Sequence, residues 1–93
     1  MPKLSGTKFM MSFVEEYLNG GMNRISFDLD FNHYLIEHAA KMEREYPDLA
    51  ECFHYYLAEQ GIEQADRLND SEHKKLIRKQ WSKVKSAMRD GLL

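Results

Sequence analysis

Cysteine, proline and β-branched residues are scarce in this 93-residue chain, and each shortage excludes something. One cysteine, Cys52, rules out an internal disulfide and fits a reducing cytoplasm. Two prolines and five glycines are too few for a linker or a disordered chain, and 12% aromatic content argues the same way. Four Ile, two Val and one Thr stand against ten Leu, six Met, six Ala and nine Glu. Unbranched side chains lose little rotamer freedom in a helix, so this mix disfavours a sandwich, a barrel or a parallel sheet. No apolar run approaches the roughly 18–20 residues of a membrane span, and the opening Met1-Pro2-Lys3-Leu4-Ser5-Gly6 lacks the apolar core of a secretory signal. A cytoplasmic protein without membrane contact is the expectation.

What is present is helical periodicity. Phe9, Met10, Phe13, Val14, Tyr17 and Leu18 predict a first helix over 7–19, capped by Thr7 or Ser5 and stopped by Gly20-Gly21. Residues 25–31 alternate, which leaves a short strand near 23–29 as an alternative. No partner strand lies nearby, and a helix over 26–45 with Ser26 as N-cap and Asp28 and Asp30 in its first turn is preferred. Phe27, Phe31, Tyr34, Leu35, His38 and Met42 then share one face. Pro47 breaks the chain at Tyr46 and suits the first turn of a third helix. Leu49, Cys52, Phe53, Tyr56, Leu57 and Gln60 form its stripe, with Gly61 as its end and a short helical turn over 62–68. Asp70 or Ser71 caps a last helix, with Leu76, Ile77, Trp81, Val84 and Met88 on its apolar face and Gly91 at its end. The predicted architecture is one all-α domain over 1–93, an antiparallel bundle of four helices plus a short helical turn.

The net charge of −2 hides a division. Residues 1–66 carry twelve acids and five bases, a balance of −7; residues 67–93 carry three acids and eight bases, a balance of +5. The basic last helix offers Lys74, Lys75, Arg78, Lys79, Lys83, Lys85 and Arg89 to phosphates or to an acidic protein. A solvated face explains the same charges, and a pI near 6.1 is low for a dedicated nucleic-acid domain. The acidic middle, with Glu51, Tyr55, Glu59 and Glu63, has the charge to occupy a nucleic-acid-binding groove on another protein.

Chemistry is thinly represented. His33 and His38 are five apart and Cys52 and His54 two apart, spacings that diverge on a helix, so no metal site is expected. His38 reads as a hydrogen-bonded histidine on the packed face. Asp28 and Asp30 diverge likewise, and Cys52 reads as a small buried hydrophobe. Tyr17, Tyr34 and Tyr46 fall at face edges, while Tyr55 points outward. No nucleophile elbow, phosphate loop or dinucleotide fingerprint occurs, so neither catalysis nor a cofactor is expected.

The segments Tyr17-Leu18-Asn19-Gly20, Phe27-Asp28-Leu29-Asp30-Phe31, Lys41-Met42-Glu43-Arg44-Glu45 and Ser71-Glu72-His73-Lys74-Lys75-Leu76-Ile77 resemble small proteins of Gram-positive phages and conjugative elements. The resemblance spans residues 9–91. Some such proteins inhibit host defence, CRISPR effector nucleases included, and the resemblance implies an anti-CRISPR type of role without assigning any site residue. The expected function is therefore binding to another protein, a nucleic-acid-binding effector among the candidates. Direct nucleic-acid binding by the last helix is the alternative. A homodimer through Trp81 or the first helix is a further option.

Overall fold

A computed structural model describes residues 6–89. Four helical elements make up a small all-α bundle, and no strand occurs among the described residues: α1 (Gly6–Leu18), α2 (Arg24–Glu45), α3 (Leu49–Cys52) running directly into a π-helical segment (Phe53–Ile62), and α4 (Asp70–Arg89). Residues 23–29 are thus not a strand.

Helix α1 ends as its glycines predict. Gly20 adopts φ 88°, its N–H donates to the Tyr17 carbonyl and that of Gly21 to the Glu16 carbonyl, so two terminal carbonyls are satisfied. At the other end Thr7 is not an external cap. It lies inside the helix, and its N–H and hydroxyl both donate to Glu45 Oε1 at 2.9 and 2.6 Å. A carboxylate from the end of α2 thereby faces the positive end of α1, and this contact sets the two helices antiparallel. Ser5 and Gly91 lie outside the described residues.

Helix α2 starts two residues before the predicted cap. Asn23, not Ser26, is the N-cap, and its side chain accepts from the Ser26 N–H at 2.8 Å. Asp28 and Asp30 therefore fall beyond the first turn. Tyr46 leaves the helical region at φ −142°, as Pro47 demands, but Pro47 does not open the next helix. Asp48 precedes α3 in the left-handed region at φ 67°.

Gly61 does not end the third helix. The π segment continues to Ile62, with the Glu63 N–H reaching the Ala58 carbonyl five residues back at 2.9 Å. Leu49, Phe53, Leu57, Gly61 and Ala65 are buried at strict intervals of four. A step of four overshoots the 3.6-residue α turn and falls short of the wider π turn, so the opposite drifts of α3 and the π segment offset each other along this row. Gly61 suits the close approach of α4, since a Cβ there would sit 2.9 Å from Ile77 Cδ1. The predicted helical turn after residue 62 is present: the Ala65 N–H bonds the Gly61 carbonyl and the Leu68 N–H the Ala65 carbonyl. Asn69 rather than Asp70 or Ser71 caps α4, accepting from the Glu72 N–H at 2.9 Å while its own amide donates to Glu72 Oε1 at 3.1 Å.

The core is aromatic. Phe27 stacks between Phe13 and Tyr17 at ring distances of 5.4 and 4.4 Å, and Phe53 meets Trp81 edge-on at 5.6 Å. Met10, Val14, Phe31, Leu57, Ile77 and Val84 fill the remainder. Each such side chain contributes about 1.5–3 kcal/mol on burial. Trp81 is buried, so it is not the dimer contact that the sequence suggested.

Candidate functional site: a buried polar chain and the charged surfaces

A row of polar side chains crosses this apolar core. His73 lies on the packed face of α4, four residues before Ile77, and is completely buried. Its Nε2 is 2.9 Å from Asp28 Oδ1 and its Nδ1 is 2.5 Å from the Tyr17 hydroxyl. A carboxylate only accepts, so Nε2 carries a proton and donates to Asp28, and in the neutral ring Nδ1 accepts from the phenol. Helices α1, α2 and α4 are tied together by this chain. Arg24 extends it: Nε lies 3.7 Å from Asp28 Oδ2, and the guanidinium reaches Asp70 Oδ1 at 3.4 Å. The same guanidinium donates to the carbonyls of Ala65 at 2.7 Å, Asp66 at 3.1 Å and Leu68. It thus holds the turn before α4 against the start of α2.

An open pocket of about 380 Å³ sits beside this chain, with Tyr17, Asn23, Arg24, Asp70 and Lys74 among its lining. An acid–imidazole–hydroxyl order is the order of a nucleophilic triad, but the terminal group here is unsuited to attack. Burial first, and then the nearby Asp28 carboxylate, raise the Tyr17 phenol above its ordinary value of 10.0, against a smaller opposing effect of Arg24. A phenol held protonated is a poor nucleophile. The Lys74 ammonium lies over the Tyr17 ring at 5.1 Å, which occupies that cation as well.

Sequence reasoning missed this chain. It placed Tyr17 at a face edge and Asp28 in a first turn, and singled out no role for His73. The available signal was that His73 falls on the same row as Ile77, Trp81 and Val84.

The other singled-out groups stay apart. Among the described residues no three His, Cys, Asp or Glu side chains converge to hold a metal ion. His33 is exposed beside Glu37 at 3.6 Å, and His54 lies 4.0 Å from Glu59. His38 packs on Phe9 at 4.3 Å, yet its buried Nδ1 has no hydrogen-bond partner among the described residues, so it is not the satisfied histidine the sequence predicted. Cys52 is half-buried, not fully buried; burial, then Glu51 and Asp48, raise its thiol above 9.0. Asp30 is exposed and distant in role from Asp28.

The acidic residues run from α3 through the π segment to the residue just after it. Glu51, Tyr55, Glu59 and Glu63 follow the same interval of four as the buried row. Glu51, Tyr55 and Glu63 are exposed and Glu59 is half-buried. On α4 the seven basic residues divide. Lys74 covers Tyr17, Arg78 donates to the Leu18 carbonyl at 3.1 Å at the end of α1, and Lys85 lies over Trp81 at 5.8 Å. Arg89 donates to the Ser86 hydroxyl at 3.4 Å. Lys75, Lys79 and Lys83 form an exposed row at intervals of four. No helix among the described residues is long and apolar enough to cross a membrane.

No family model, curated protein or solved structure matches the chain.

Proposed function

We propose that this chain is a non-catalytic module that binds another protein through the acidic strip of α3 and the π segment. The observation that carries the reading is the joint exposure of Glu51, Tyr55 and Glu63, with Tyr55 48% exposed and four residues from both Glu51 and Glu59 in sequence. A tyrosine presents a rigid, amphipathic contact at low entropic cost, and flanking carboxylates select a basic counterpart. The polar groups of the interior support the same reading, because Tyr17, His73, Asp28 and Arg24 satisfy one another and leave no activated nucleophile. A basic groove that handles nucleic acid is the natural counterpart of such a strip. The resemblance to phage and mobile-element proteins points to a host-defence effector of the CRISPR type. The test is binding to a panel of purified effector nucleases, with and without guide RNA. Glu51→Lys with Glu63→Lys should weaken any interaction at least about tenfold, a loss of about 1.4 kcal/mol. Unchanged binding by that variant sinks the strip as the contact.

The second reading is nucleic-acid binding by α4, favoured by the exposed row Lys75, Lys79 and Lys83. Titration of DNA and RNA against salt separates the two. Binding that falls steeply with salt and is abolished by Lys75→Glu with Lys83→Glu would favour nucleic acid. Absence of binding at low salt eliminates it.

A further inference from the structure

We propose that the outer face of α2 is the seam of a homodimer in which two copies of this helix lie antiparallel. Ile25, Leu29 and Ile36 stand 70%, 73% and 78% exposed, while Phe27, Phe31, Leu35 and Met42 on the same helix are buried in the core. Helix α2 therefore has a second apolar face, and a helix apolar on both sides is built to be covered on both. The outward row runs Ile25, Leu29, Asn32, Ile36, Ala39, Glu43. Its steps alternate four and three, the spacing of a coiled-coil seam.

Three features select a second copy as the occupant. The first is self-complementarity. Asn32 stands three residues from Leu29, four from Ile36 and seven from both Ile25 and Ala39. A twofold axis at Asn32 sets Ile25 against Ala39 of the second copy and brings Leu29 within one residue's rise, about 1.5 Å, of the level of Ile36. A self-complementary patch is what a twofold interface requires. The second is Asn32 itself. Its amide holds both a donor and an acceptor, so two copies meeting on the axis satisfy each other, and one polar residue in an apolar seam fixes register. The third is size. Three side chains about three-quarters exposed present roughly 400 Å² of apolar surface, comparable to the largest patch on a typical monomer. With Asn32, His33 and Ala40, also exposed, the face reaches roughly 600 Å² per copy, which meets the lower bound of about 1,200 Å² for a specific interface. Eighteen steps from Ile25 to Glu43 give a seam about 27 Å long. The residues flanking it on the open side, Ser26, His33 and Ala40, include no Asp, Glu, Lys or Arg, so no like charges of that kind face each other there.

Sedimentation equilibrium of the full chain tests the proposal. The wild-type chain should pass from monomer to dimer with Kd on the order of micromolar. Ile36→Asp should weaken that association at least about a hundredfold. Its circular dichroism should be unchanged, because the position is exposed. In a Cys52→Ser background, a Leu29→Cys chain mixed with an Ile36→Cys chain should form a mixed disulfide in preference to either self-linked product. A wild-type chain that stays monomeric to about 0.5 mM overturns the proposal, as does an Ile36→Asp chain that dimerises like wild type. Preferential self-linking of the Leu29→Cys chain overturns the antiparallel arrangement.

Discussion

Replacing His73 by leucine removes the one side chain that bonds both the α1 phenol and the α2 carboxylate. The Tyr17 hydroxyl is left buried without a partner, at a cost of about 1–3 kcal/mol. The bond to Asp28 is also lost. Hydrogen bonds to charged groups contribute about 1.5–3 kcal/mol, and the low end applies because Asp28 is 29% exposed and keeps Arg24 at 3.7 Å. Leucine offsets about 1 kcal/mol by its own burial. The net expectation is a loss of about 1.5–3.5 kcal/mol, from a total of about 5–14 kcal/mol for a domain of this length. Urea unfolding followed by the fluorescence of Trp81, the single and buried tryptophan, measures it. The companion variant Tyr17→Phe sharpens the test. It removes the orphaned hydroxyl, so the double variant should be about 1–2 kcal/mol more stable than the sum of the single effects requires. A His73→Leu chain within about 0.5 kcal/mol of wild type, or strict additivity in the cycle, refutes the role assigned to the chain.

Alkaline pH should destabilise the fold through Tyr17. A phenol with its folded-state value raised above 10.0 contributes stability that is complete below pH 10 and is lost as pH rises through the folded value. Tyr17→Phe should flatten that part of the stability–pH curve, as measured by chemical unfolding at a series of pH values. Cys52, with its thiol raised above 9.0, should react slowly with iodoacetamide at neutral pH and faster only as pH passes that value. Gly61→Ala should cost about 1–3 kcal/mol by overpacking, because its Cβ would press on Ile77 Cδ1 at 2.9 Å. Adding Ile77→Val deletes that methyl group and should recover part of the loss in thermal melts.

The helices were legible because each follows local rules. Gly20-Gly21, Tyr46 before Pro47, and the break at Asn69 mark helix boundaries whose causes lie within a few residues. Errors arose where two nearby residues compete for one job. Asn23 and Ser26 are both good caps, and the choice of Asn23 moved Asp28 from the first turn to the layer that meets His73. The π winding was not legible, since Gly61 reads as a helix end unless α4 is known to press against it. The polar chain joins residues 45 and 56 apart in sequence, and no periodicity reports such a pairing. The acidic residues, by contrast, were singled out from spacing: Glu51, Tyr55, Glu59 and Glu63 are four apart in sequence, and all but the half-buried Glu59 are exposed.

Binding through that strip is the central claim, and a paired pull-down from the natural host tests it most directly. The bait is the wild-type chain beside the Glu51→Lys, Glu63→Lys variant, both verified as folded by circular dichroism, with eluates quantified by mass spectrometry. The account predicts one protein captured in near-stoichiometric amount by the wild-type chain and lost with the variant. A protein captured equally by both chains would contradict it, as would nucleic acid as the only species retained.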